Sequence, residues 1–141
     1  MRAKPLKILA TAALTLIALT AIVAFAGFIT LSDYKEATGN YVKAWAYVEG
    51  KTYLCPDYSG TIGRLWDVKG KGGYYQIVPL PAGSVVKSTS YTVHVFDPNG
   101  DWAFHRITVE VYGPGIYEIV SAEAFIKAYR GTCAPLSRES P

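Results

Sequence analysis

The chain has 141 residues, 50% of them hydrophobic and 18% charged, with 14 Lys and Arg against 11 Asp and Glu. The positive surplus sits in Arg2, Lys4 and Lys7, so the two signs balance from Gly27 onward; such a body lacks the clustered charge that nucleic acid binding needs and has little electrostatic protection from self-association. Once a leader ending at Ala26 is set aside, the remainder is long enough for one domain with one core and too short for two.

The leader, residues 1–26, has a basic start and then an uncharged apolar run that continues to Ser32. Ala24 and Ala26 set small residues at the two positions a signal peptidase must accommodate, which predicts cleavage ahead of Gly27 and a secreted, extracellular or cell-surface protein that meets the membrane only through its leader before cleavage. A helix rising about 1.5 Å per residue over this run also reaches across a bilayer core of about 30 Å. A retained anchor on a membrane-bound β-sandwich binding module, or a type IV pilin-like subunit with its N-terminal helix kept, is therefore the competing reading. Against the pilin, no Gly or Ala follows a basic residue directly ahead of the helix, and no acidic residue comes early in it.

Residues 27–40 read as a free strand and its linker. Phe28, Ile29, Thr30 and Leu31 are apolar or β-prone, and no turn signal intervenes before Ser32-Asp33. The folded body, residues 41–133, reads as all-β. Tyr41 to Val48 alternates, with Val42, Ala44, Ala46 and Val48 on the expected inner face. An irregular connection, Glu49 to Gly63, follows. Leu65 to Val68 reads as a short strand, and Gly70-Lys71-Gly72-Gly73 as a turn into a further strand, Tyr74 to Pro79.

Val85 to Phe96 and Trp102 to Tyr112 read as a hairpin turned by Asp97-Pro98-Asn99-Gly100-Asp101. If Asp97 faces Asp101, then Val95 faces Ala103, Val93 faces His105 and Tyr91 faces Ile107. That register puts Val93, Val95, Ile107 and Val109 in the core, with Thr92, His94, Phe96, Trp102, Phe104, Arg106 and Thr108 on the other side. Trp45, Phe96, Trp102 and Phe104 are candidate interface aromatics; the alternative is an ordinary scatter of exposed rings. Ile116 to Tyr129 alternates as a long half-buried strand, helix being the competing reading from Ala122 onward. Residues 134–141 read as a flexible tail.

Cys55 and Cys133 fall in the exported part, where a disulfide is the economical reading and two separate buried thiols the alternative. Two thiols without a CxxC or CxxCH, and two histidines that the expected register sets on opposite faces, give no metal, haem or proton-relay site. Neither a nucleophile–base–acid set nor a phosphate-cradling glycine loop is recognisable. The expectations are no enzyme, no metal and no cofactor.

Ser32-Asp33-Tyr34-Lys35-Glu36-Ala37-Thr38-Gly39-Asn40-Tyr41-Val42-Lys43-Ala44 resembles the Ser-Asp, Gly-Asn and aromatic junction of TasA-type biofilm fibre proteins, camelysin-like proteins and archaeal bundling pilins. Leu80-Pro81-Ala82-Gly83-Ser84-Val85 and Asn99-Gly100-Asp101 are similar to that family's Pro-Gly-Asp and Asn-Gly segments. The resemblance implies a jelly-roll-like β-sandwich, preceded by the apolar leader helix and the free strand, that polymerises with copies of itself. Phe28 to Leu31 of one subunit would complete the sheet of the next in a pilus or biofilm matrix fibre.

Overall fold

The computed structural model describes residues 27–56 and 60–131, and among these it holds six strands and no helix. β1 (Ile29–Thr38), β2 (Val42–Thr52) and β3 (Trp66–Gln76) make one antiparallel sheet; β4 (Val85–Val95), β5 (Trp102–Gly113) and β6 (Ile116–Lys127) make the other. The sheets pack as a sandwich, β1 and β2 against β6, β3 against β4 and β5. Each sheet takes its strands in chain order. The connectivity is therefore two successive meanders, and the interleaved order of the expected jelly roll does not occur among the described residues. Short returns such as Pro114-Gly115, between partners Gly113 and Ile116, set each strand beside the one just left. The expected leader helix, Ala24, Ala26, Cys133 and the tail lie outside the described residues.

Alternation builds the core as the sequence predicts. Val42, Ala44, Ala46 and Val48 of β2 are wholly buried, and they meet Val120, Ala122, Ala124 and Ile126 of β6 and Ile107, Val109 and Val111 of β5. Alanines on both facing strands let the sheets approach closely, which leaves room for only a few branched side chains, each contributing about 1.5 to 3 kcal/mol by burial.

Three expectations are corrected. The first concerns the strand boundary at Tyr41: the sheet begins at Ile29, because Ile29 to Thr38 pairs without interruption with Thr52 to Lys43. The second concerns the glycine run, where β3 passes straight through Gly70, Gly72 and Gly73 instead of turning. A Cβ at Gly70 would lie 2.6 Å from His105 Nδ1 and from Thr92 Oγ1, and one at Gly72 would lie 3.2 Å from His105 Nε2; the bare backbone is what admits these side chains of the other sheet.

The third is the hairpin register, which is one residue away from the expected one: Val95 pairs with Trp102, Val93 with Phe104 and Thr92 with His105. Asp97 still accepts a turn bond from Gly100 N–H at 2.9 Å. Asp101, however, does not face it as a strand partner, because it is drawn into the body. Its N–H donates to Gly63 and its carbonyl accepts from Ala128, while its carboxylate accepts from Leu65 N–H at 2.9 Å, Asp97 N–H at 3.1 Å and Arg64 Nη1 at 2.7 Å. A one-residue slip exchanges the faces of a strand. Val93 and Val95 consequently leave the core for the outer face beside Trp102 and Phe104, and Thr92 and His94 turn inward. Ile107 and Val109 stay buried, as expected.

Candidate functional site

β1 is the element on which an assembly mechanism would act. Its inner-face positions, read from its pairing with β2, are Ile29, Leu31, Asp33, Lys35 and Ala37. None of its ten residues is fully buried. Leu31 and Ala37 pack against the core, but between them stand two charges, with Lys35 Nζ 2.7 Å from Asp33 Oδ2. Inward-pointing charge on an edge strand weakens its packing and discourages indiscriminate pairing. The expectation that Phe28 to Leu31 is poorly anchored in its own subunit is thus corrected in part. Ile29, Thr30 and Leu31 form a complete ladder with Thr52, Lys51 and Gly50, while Phe28 lies 38% exposed, edge-on to Trp66 at 6.3 Å and beneath Lys51 Nζ at 5.7 Å. Gly27 stands just ahead with φ +82°.

Two carboxylates hold β1 and its turn to the opposite sheet. Asp33 accepts from the Phe125 N–H, an edge group of β6, at 2.9 Å. Glu118 grips the turn between β1 and β2, accepting from Asn40 N–H at 2.8 Å and Tyr41 N–H at 3.2 Å. Gly39 makes that grip possible, since a Cβ there would collide with the Glu118 carboxylate and lie 2.5 Å from Val120. Glu118 is absent from the sequence reading and Asp33 enters it only as part of a turn signal and junction motif; both act across more than seventy positions of chain, which no local pattern records.

The four candidate interface aromatics separate into three places. Trp102 and Phe104 lie on the outer face of the second sheet with Phe125, the indole 6.1 Å from Phe104 and 5.8 Å from Phe125; Tyr91 closes on Phe104 at 6.0 Å. Val93 and Val95, displaced there by the register, join these rings on the same face. Phe96, 70% exposed, stands at the turn against the His94 ring. Trp45 is on the outer face of the other sheet, near-parallel to Tyr34 at 6.1 Å.

The histidines share the inner face of the hairpin, contrary to the expected opposition, because the slipped register aligns Thr92 and His94 with His105 and Ala103. His105 is buried, its Nδ1 2.8 Å from Thr92 Oγ1 and its Nε2 without a hydrogen-bond partner among the described residues; burial lowers its pKa. Among the described residues, only one of its ring nitrogens is satisfied. The described residues bring together no group of three His, Cys, Asp or Glu side chains suited to a metal. Cys55 is wholly buried and is not a free thiol; its expected partner, Cys133, lies outside the described residues. Comparison with protein-family models, curated proteins and solved structures finds no match to this chain.

Proposed function

We propose that this chain is an exported, non-enzymatic structural subunit that polymerises head to tail into an extracellular pilus or biofilm matrix fibre of the TasA and bundling-pilin kind, β1 of each subunit taking the place beside β2 of the next. The observation that carries the reading is the way β1 is held: a full backbone ladder with no fully buried side chain. Exchange restores the same ladder bonds, each worth about 0.5 to 1.5 kcal/mol, in a neighbour. Little core packing is disturbed on the way. One donor and one acceptor per subunit give a heterologous contact that propagates, and the apolar patch of Tyr91, Trp102, Phe104 and Phe125 supplies a lateral contact between copies. A bridge from Cys55 to Cys133 would tie the connection after β2 to the chain beyond β6 and keep the acceptor body intact while β1 leaves it.

Mixing two single variants, Thr30→Cys and Lys51→Cys, tests this. The two positions are direct partners across β1 and β2. A mixture of mature subunits allowed to assemble under oxidation should give disulfide-linked pairs containing one of each variant, and neither variant alone should. Fibres that form without such pairs, or a mature protein that stays monomeric at every concentration and condition, would refute the proposal.

A further inference from the structure

The outer face of the first sheet differs in chemistry from the apolar patch on the second. Tyr34, Trp45, Tyr47, Glu49 and Lys71 line a depression of about 450 Å³ there, within the size range of small-ligand sites. Its rings are fixed before any ligand arrives. Trp45 lies over Gly73, where a Cβ would come within 2.9 Å of the indole. The Tyr47 hydroxyl donates to Glu49 at 2.7 Å, and the Tyr34 hydroxyl donates to Glu36 at 2.8 Å. Lys71 Nζ sits 5.7 Å above the centre of the Tyr47 ring.

We propose that this depression binds a neutral oligosaccharide chain, with pyranose faces laid on Tyr34 and Trp45 and ring hydroxyls met by Glu49 and Lys71. A pyranose has an apolar C–H face and a rim of hydroxyls, so it needs flat aromatic surface bordered by both an acceptor and a donor. Tyr34 and Trp45 supply the aromatic surface as a stacked pair, with ring centroids 6.1 Å and planes 21° apart. Glu49 and Lys71 stand beside it with opposite charge, so the lining favours neither an anionic nor a cationic ligand. A flat protein partner would have to bury the Lys71 ammonium, which has no carboxylate partner among the described residues although Glu49 has Lys69 at 3.8 Å, and burying an unpaired charge is costly. A hydroxylated ligand that leaves the rim in water does not bury it. Burial first, and then the neighbouring carboxylates, push both tyrosine hydroxyls up to about 12, so they remain protonated donors across the physiological range. Because rings and polar groups are already oriented, little ordering cost remains for binding. The site stands independently of strand exchange, since β1 presents Tyr34 beside Trp45 whether it is a subunit's own strand or a neighbour's.

The mature chain should be titrated with cellohexaose, laminarihexaose and mannohexaose, and with polygalacturonate as an acidic probe, by calorimetry and tryptophan fluorescence. Saturable, salt-insensitive binding of at least one neutral hexasaccharide is expected. Tyr34→Ala, at a half-exposed position, should weaken it about tenfold or more; Lys71→Met should weaken it as well, and Phe96→Ala, at the far turn, should leave it unchanged. The proposal is overturned if no neutral probe binds at millimolar concentration, if only polygalacturonate binds and added salt abolishes it, or if neutral binding survives both substitutions. It is equally overturned if Tyr34→Ala blocks assembly while the parent binds no neutral probe, which would make this face a contact between copies.

Discussion

Replacing Asp101 with Ala should be among the most destabilising single changes in the domain. Its carboxylate is wholly buried and terminates three donors that come from two separate segments, Arg64 and Leu65 on one and Asp97 on the other. Arg64 has a side chain 51% exposed and returns to water at little cost, as surface pairs are worth about 0 to 1 kcal/mol. The Leu65 N–H is buried and has no such escape; leaving it unsatisfied costs about 1 to 3 kcal/mol, and the half-buried Asp97 N–H adds about 1 more. The expected loss is about 3 kcal/mol. Asp101→Asn keeps one acceptor oxygen and should lose roughly half as much. Urea unfolding of the mature chain measures both, with Arg106→Ala as the reference: that change removes an exposed 3.5 Å pair with Glu123 and should cost less than about 1 kcal/mol. If Asp101→Ala is no worse than Arg106→Ala, the carboxylate is not what joins the 63–65 connection to the hairpin turn, and the explanation given for the shifted register falls with it.

Gly100→Ala should cost more than about 2 kcal/mol by thermal melting, since φ is +130° and the added Cβ would collide with the Ala128 carbonyl oxygen; Gly115→Ala, with φ +75° and open space around it, should cost only about 1. Burial lowers the His105 pKa below its ordinary value of 6.5, so the unfolded chain binds the proton more readily: its contribution to stability is complete above that value and is lost as pH falls below it. Urea midpoints from pH 7.5 down to about 5 should show this decline, and His105→Leu should flatten it. Cys55 and Cys133 are expected to be bonded in the exported protein, contributing about 2 to 4 kcal/mol; two free thiols in unfolded, unreduced material would contradict that.

The all-β class and the buried faces of β2, β5 and β6 were legible because these strands carry mostly apolar residues at every second position, and strand period leaves little choice of face there. β1 was only partly legible. Past Leu31 its inner positions are Asp33 and Lys35, charges where the pattern calls for apolar side chains, and the segment reads as linker until their partners across the sandwich are known. The glycine run failed differently: three glycines among four residues signal a loop, yet what they do is make room for His105, Thr92 and Ile107 on one face and the Trp45 indole on the other. The hairpin turn was identified correctly and its register was not, because turn chemistry fixes where the chain reverses, whereas the pairing was decided by distant Gly63, Leu65 and Ala128 pulling on Asp101. The aromatic patch of the second sheet inherited the same displacement, gaining Val93, Val95 and Tyr91.

The contacts that made β1 hard to read also set the terms on which it can leave. Because an exchanged strand remakes the same ladder with a neighbour, the ladder itself contributes almost nothing to the difference between a closed monomer and a polymer. What remains is the turn at Gly39 to Tyr41, the freedom lost on association, and concentration. Asp33 and Glu118 bear on these unequally. The Asp33 bond to Phe125 travels with β1 and is remade in the acceptor, so it raises the barrier to release without shifting the balance. The Glu118 bonds to Asn40 and Tyr41 hold the turn in its folded-back shape and are lost when β1 swings outward, so they favour the closed monomer. Under the proposed exchange, such a subunit would keep its strand to itself while dilute and yield it when neighbours are abundant, with Glu118 setting the concentration at which the exchange becomes favourable.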